Sequence, residues 1–343
     1  MEPPLSAARV RRRPATPKAL KVRAYAKVNL GLEVLGPRQD GYHELRTIFQ
    51  TIALHDDILL TLQPDEVTLR CDHPGVPAGE DNLAVRAALE LRRYTGIAGG
   101  VEIRLVKRIP VAGGLGGGSS DAAAVLMGLD RMWRLGLGPA GLHPLARRLG
   151  ADVPFFLIGG TALGLARGDE VYPLHRQVKA EVVVVDPERP LSTGDVFKRL
   201  DASLTPRENT NKIFRFISSD LGDVGSAFAI LSNDLERPAL EEAPDLAARV
   251  ALIRGILVGE GALMASLSGS GASLFGLFDD PRRARRAQVR LVARGFKALR
   301  SRTLSLDRYR RMWDSPASGR ARGSGQGRSG QHGDHRRQGH SRR

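Results

Sequence analysis

Residues 110–126 read PVAGGLGGGSSDAAAVL, and the interpretation of this stretch decides the fold. Pro110, Val111 and Ala112 lead into Gly113, Gly114, Leu115, Gly116, Gly117 and Gly118, and Ser119 and Ser120 follow. Beyond them Ala122, Val125, Leu126, Leu129, Met132 and Trp133 recur at three- and four-residue spacings, one apolar face of a helix. Ser119 or Ser120 is the expected N-cap, with Asp121 in the first turn. A glycine loop that feeds a helix N-terminus suits an anion. Glycine lets backbone approach closely, and the first N–H groups of the helix lack partners inside it. A plain turn needs one or two glycines, so the run predicts a phosphate cradle built from the backbone of residues 110–120.

The loop is neither a Walker A nor a dinucleotide fingerprint. No lysine in the chain follows a glycine, and the G-x-G-x-x-G match at Gly136 to Gly141 contains Pro139 and follows a helix rather than a strand. The 343 residues suffice for two domains. The net charge of +15 is uneven: residues 1–24 carry +6 and residues 314–343 carry +5, which leaves about +4 for the rest. That balance suits anionic small molecules and argues against a nucleic-acid partner. Cys71 is the single cysteine, so there is no disulfide framework or cysteine zinc site, and a reducing, cytoplasmic location is expected. The most apolar window, residues 149–166, is interrupted by Asp152, Pro154 and several glycines, so no membrane span is expected. Residues 1–20, basic and without an apolar core segment, are expected to be a disordered extension rather than a secretion signal. Residues 313–343, rich in Gly, Ser and Arg, are expected to be a disordered tail whose histidines 332, 335 and 340 are solvated. No metal ligand is assigned.

Lys21 to Val34 alternates apolar and polar residues, a half-buried strand with Lys27 on the polar face beside Tyr25 and Asn29. On composition alone a solvated strand face is the favoured reading of that lysine. Asp40-Gly41 is a tight-turn pair, followed by Tyr42-His43, a stacking ring beside a two-nitrogen hydrogen-bonder. Asp81-Asn82-Leu83 is expected to start a helix, Val101 to Val106 is expected to be a strand, and Pro144 is expected to start a helix with His143 as cap. Asp152, just before Val153-Pro154, fits a helix N-cap as well as a catalytic carboxylate. Ala180 to Val185 is a strand near a domain boundary, Glu241 to Val258 is helical, and Ser266 to Phe278 holds a second small-residue loop able to pack on the first. Residues 281–293 form an arginine-rich exposed helix.

The loop resembles the P-x-x-x-G-L-G-x-(G)-S-S motif of the GHMP kinases. Residues 24–52, AYAKVNLGLEVLGPRQDGYHELRTIFQTI, further resemble the opening of the 4-diphosphocytidyl-2-C-methyl-D-erythritol kinase family. The likeness continues through Gly150-Ala-Asp-Val-Pro, Asn233-Asp-Leu-Glu and Ser268-Gly-Ser-Gly-Ala. The resemblance implies a two-domain α+β fold, residues 21–178 and 179–312, with mixed sheets, helices packed on one face and ATP between the domains. It also implies ATP and Mg²⁺ as cofactors and a cytidyl-diphospho small molecule as substrate, phosphorylated on its 2-hydroxyl in the non-mevalonate isoprenoid pathway. By the same resemblance Lys27 and Asp152 are catalytic, residues 110–120 bind ATP, and Tyr42, His43 and Phe197 hold the cytosine end. Phe197 as a plain core residue is the competing reading. The family tends to show GRGE where this chain has Ala166-Arg-Gly-Asp169, and no role is assigned to Asp169.

Overall fold

The computed structural model describes residues 18–175, 177–202, 211–219 and 224–314. The chain runs through β1 (Ala19–Pro37), β2 (His43–Gln63), β3 (Val67–Cys71), α1 (Leu83–Thr95), β4 (Gly100–Val106), α2 (Gly117–Met132), α3 (Gly138–Leu149), α4 (Val153–Ile158), β5 (Thr161–Leu165) and β6 (Glu170–Pro173). It continues through β7 (Glu181–Asp186), α5 (Thr193–Ala202), α6 (Lys212–Ser218), α7 (Val224–Ala229), α8 (Glu236–Glu242), α9 (Pro244–Gly259), β8 (Met264–Leu267), β9 (Leu274–Phe278), α10 (Pro281–Ala293), β10 (Lys297–Arg302) and α11 (Leu306–Asp314). This is the α+β architecture expected. β1 to β6 form one sheet in the order β3-β4-β2-β5-β6, with β1 paired to β2, and β10-β7-β9-β8 form a second, antiparallel sheet.

Three large cores account for most of the burial, and a small fourth cluster gathers Tyr25, Leu304 and Tyr309. Val22, Ala24, Ile58, Leu60 and Ile103 pack under α1 to α4. Val183, Val185 and Phe278 pack under α8, α9 and α10. Between the sheets, Ala26, Val28, Leu30, Ile48 and Ile52 meet Val182, Val184, Phe275 and Leu277. β7 is therefore covered on both faces, which is why it reads as an uninterrupted valine run rather than an alternation.

β1 departs from the expected half-buried strand. From Tyr25 to Val34 every residue is buried. Its ladder with β2 is irregular between Tyr25 and Lys27, and the faces exchange there: Val22 and Ala24 sit under the helices, whereas Ala26, Val28 and Leu30 sit between the sheets. An extra residue in one strand flips every side chain beyond it. Lys27 is thereby turned inward, 3 % exposed, instead of onto a solvated face.

Other expectations shift for local reasons. Ala19 and Leu20, expected to lie in the N-terminal extension, pair with Thr61 and Leu60 in the first sheet. Trp313, expected to lie in the tail, packs on the helical core from α11. The rest of both terminal segments, with histidines 332, 335 and 340, lies outside the described residues. α3 starts at Gly138, not Pro144, because Pro139 occupies the first turn, where its missing N–H costs nothing, and Pro144 removes only one later hydrogen bond. The helix expected over 241–258 is two helices, since Ala243 precedes Pro244 and is pushed out of the helical region (φ −131°, ψ 82°). α1 begins within the expected Asp81-Asn82-Leu83 start, and Asn82 caps it, accepting from the Ala84 N–H at 2.8 Å.

Candidate active site

The glycine loop lies between two clefts. One, of about 340 Å³, is lined by Pro110 to Ser119 together with Val76, Pro77, Asn82 and Lys107. The other, of about 650 Å³, is lined by Lys27, Asp152, Tyr42, His43 and Phe197 among others. Gly114, Gly116 and Ser119 line both. A ligand in either cleft would therefore meet one in the other at this shared wall.

The expected serine cap is replaced by Gly116, in the left-handed region at φ +70°, with no side-chain bond to the helix. A glycine cap offers no oxygen to the first-turn N–H groups, so they stay available to a ligand. Ser119 and Ser120 instead lie inside the first turns of α2. Ser119 faces both clefts, whereas Ser120 is 1 % exposed and lines neither. Of the residues 110–120 expected to meet phosphate, Ser120 is thus the one the structure sets apart. Glycine is required here by neighbours as well as by φ. A Cβ on Gly114 (φ +74°) would stand 2.0 Å from the Ser268 carbonyl oxygen, and one on Gly116 would stand 2.7 Å from the Phe156 ring. The second small-residue loop, between β8 and β9, does pack on the first. Ser268 Oγ donates to the Gly114 carbonyl at 2.9 Å, and the Ser273 N–H donates to the Gly113 carbonyl at 3.2 Å. Asn233 props that second loop from below, donating to the carbonyls of Leu267 and Gly269.

Lys27 and Asp152 come together. Lys27 Nζ lies 3.3 Å from Asp152 Oδ2 and donates to Asn29 Oδ1 at 2.6 Å. Asn29 donates to Thr47 Oγ1, whose hydroxyl donates to the Gly31 carbonyl, so the lysine is fixed by a chain of buried hydrogen bonds. Phe49 covers it, with Nζ 5.6 Å from the ring centroid. Asp152 stands at the N-cap position of α4 but makes no capping hydrogen bond. Its side chain is about one-third exposed and opens onto the larger cleft. The capping alternative therefore accounts for its position in the chain but not for its carboxylate.

At the far end of that cleft His43 stacks on Phe197, ring centroids 4.6 Å apart at 23°. Tyr42, half exposed, lies under the Arg167 guanidinium at 4.8 Å. Arg167 is held by Asp169, which is fully buried and also accepts from Arg147. Burial pushes the Asp169 carboxyl up, but hydrogen bonds from Arg167 and Arg147 outweigh it and hold the group below the ordinary carboxylate value. Asp169 thus has a role that the sequence did not suggest: it pins the cation over Tyr42.

Sequence reasoning also missed a buried cluster behind the smaller cleft. Lys107 Nζ donates to Asp56 at 2.6 Å and to Asp121 at 2.9 Å, and Asp56 accepts the Arg108 and Ile109 N–H groups. The one signal was a lysine at the strand end directly before the loop. Burial, only partly offset by Lys107, pushes the Asp121 carboxyl up to about 7. A folded value above the unfolded one means the native state binds the extra proton between about pH 4 and 7, and stability falls as pH rises through that window. Asp121→Asn is expected to remove this slope and to gain on the order of 2 kcal/mol over the parent between pH 5 and pH 8. Urea denaturation at both pH values checks this; a difference independent of pH would relocate the titrating group.

Among the described residues no group of three or more His, Cys, Asp or Glu side chains could hold a metal ion, and no helix is long and apolar enough to cross a membrane.

Comparison with known proteins gives a consistent result. Residues 82–160 match the GHMP kinases N terminal domain family, and residues 216–298 match the GHMP kinases C terminal family. The chain is 42% identical over 271 residues to a 4-diphosphocytidyl-2-C-methyl-D-erythritol kinase of Pelotomaculum thermopropionicum, covering 78% of this chain and 92% of the relative. It is 43% identical to the protein of the same name from Geobacter metallireducens, covering 79% and 93%. A crystal structure of 4-(cytidine 5'-diphospho)-2C-methyl-D-erythritol kinase superposes with a TM-score of 0.66 at 36% identity, covering 83% of this chain and 99% of that one. The mevalonate kinase of L. major, in complex with R-mevalonate, superposes at 0.64 with 17% identity over 83% of this chain and 96% of that one, a likeness of fold alone.

Proposed function

The chain belongs to the 4-diphosphocytidyl-2-C-methyl-D-erythritol kinase family of the GHMP kinases, and on that premise we propose that it transfers the γ-phosphate of ATP to the 2-hydroxyl of 4-diphosphocytidyl-2-C-methyl-D-erythritol, in the non-mevalonate route to isoprenoid precursors. The observation that carries the proposal is the shared wall: Gly114, Gly116 and Ser119 border both clefts, and Lys27 and Asp152 stand beside them.

ATP lies along the smaller cleft, with its phosphates on the N–H groups of the loop and of the first turn of α2. The acceptor occupies the larger cleft. Asp152 orients the attacking hydroxyl and takes its proton, since its carboxylate opens onto the acceptor cleft beside Lys27. Lys27, desolvated and rigidly held, places positive charge where negative charge grows on the phosphoryl oxygens. Ser119, whose hydroxyl belongs to a residue lining both clefts, would hold Mg²⁺, an ion that keeps waters and takes few protein ligands. When bound, it neutralises charge on the transferring phosphates. Tyr42, His43 and Phe197 hold the cytosine.

The deciding experiment measures ADP release with ATP and Mg²⁺ and, in parallel, the cytidyl-diphospho acceptor, homoserine or mevalonate. Turnover with the first alone is expected; turnover with another acceptor would keep the loop chemistry and discard the roles of Tyr42 and His43. His43→Ala is expected to raise KM for the cytidyl acceptor by at least about tenfold, the loss of one good hydrogen bond and a stacking contact, while KM for ATP stays within about twofold. Equal effects on both substrates would remove His43 from the base-binding end.

A further inference from the structure

His43 opens β2, and Asp201 lies in the last turn of α5, 158 residues along the chain. Packing of the two halves brings His43 Nε2 to 2.7 Å from Asp201 Oδ1. Both residues line the larger cleft, and the His43 side chain is only 9 % exposed. The imidazole is therefore fixed twice: its face lies on Phe197, and its Nε2 edge is tied to a carboxylate.

A carboxylate accepts hydrogen bonds and offers none. When the ring carries a single proton, that proton is on Nε2, and Nδ1 is left with a lone pair. We infer that Asp201 is a specificity-determining positioning residue, which holds His43 as an Nδ1 acceptor so that the ring reads the 4-amino group of cytosine and rejects the 4-carbonyl of uracil. The inference rests on the assignment of His43 to the base-binding end. Cytosine presents a donor at that position and uracil a lone pair, so an acceptor-only Nδ1 bonds the first and repels the second. Without the carboxylate the ring is free to place its proton on Nδ1 and to bond the uracil carbonyl instead. Sites built to pair one polar group discriminate strongly against its complement, because the mismatch leaves buried polar atoms unpaired.

Asp201→Asn is the sharpest test, since the amide keeps the shape and bonds either tautomer. The full-length variant is assayed with the cytidyl-diphospho acceptor and with its uridyl analogue, alongside His43→Ala. The 15N resonances of the His43 ring are recorded in parent and Asp201→Asn. The expected result is that the cytidyl-to-uridyl ratio of kcat/KM falls about tenfold in Asp201→Asn, that KM for ATP is unchanged, and that the ring loses its single Nε2–H form. A mere packing role for Asp201 would lower both ratios' terms together and leave the tautomer alone. If His43→Ala collapses the ratio but Asp201→Asn preserves both ratio and 15N pattern, the role of Asp201 is overturned and the base assignment stands. If His43→Ala also leaves the ratio unchanged, the base assignment fails and this inference with it.

Discussion

Asp152→Asn is expected to lower kcat by about 10²- to 10⁴-fold, the usual contribution of a positioned general base, with KM for ATP within about twofold of the parent. The carboxylate caps no helix and is partly open to the cleft, so its replacement removes chemistry rather than structure. Lys27 keeps its bond to Asn29 and its cover by Phe49, and an asparagine carbonyl still faces it. The stability change should therefore be about 1 kcal/mol or less, within the range of a partly exposed ion pair. Steady-state kinetics with both substrates, together with a melting curve, separates the outcomes. A kcat within tenfold of the parent would take the proton-accepting role away from Asp152. A large fall in stability would instead mean that the Lys27–Asp152 pair is structural.

Gly114→Ala is expected to raise KM for ATP more than tenfold and to cost about 2–4 kcal/mol of stability, the range for strain combined with overpacking at a tight site. The new methyl would stand 2.0 Å from a backbone oxygen at Ser268, on a residue held at φ +74°. Backbone cannot swing aside as a flexible side chain does, so the two loops must part and their bonds at Ser268 and Ser273 break. Gly118→Ala is the control. It lies in the helical part of the same run, its Cβ meets nothing closer than Leu83 at 3.8 Å, and alanine is the better helix former, so stability should hold or rise. Denaturation of the two variants side by side distinguishes loop contact from glycine content. Equal stability of Gly114→Ala and parent would mean that the second loop does not set the phosphate loop.

These two variants mark the border between what the chain announces locally and what it does not. The glycine run, its helix, the Asn82 cap and the alternating strands are patterns within a few residues, and caps and periodicity are set at that range. The turn at Asp40-Gly41 placed Tyr42 and His43 together in the same way. The Gly-Ala-Asp-Val-Pro segment marked Asp152 only through family resemblance, because its residues fit a helix cap equally well.

The remainder needed the assembled molecule. Alternation put Lys27 on an open face; only pairing with β2 revealed the irregularity that turns it inward. Composition favoured a serine cap, yet Gly116 takes that place because Phe156 and Lys27 crowd the spot where a Cβ would sit. Lys107 between Asp56 and Asp121, Asp169 beneath Arg167, and Asp201 against His43 join residues up to 158 positions apart. By itself the sequence determined most of the elements, the glycine loop and the family. Which face each polar residue shows, and which partner meets it, was decided by strand pairing and by the packing of helices and sheets, since a side chain's burial and charge environment come largely from distant parts of the chain that no local pattern encodes.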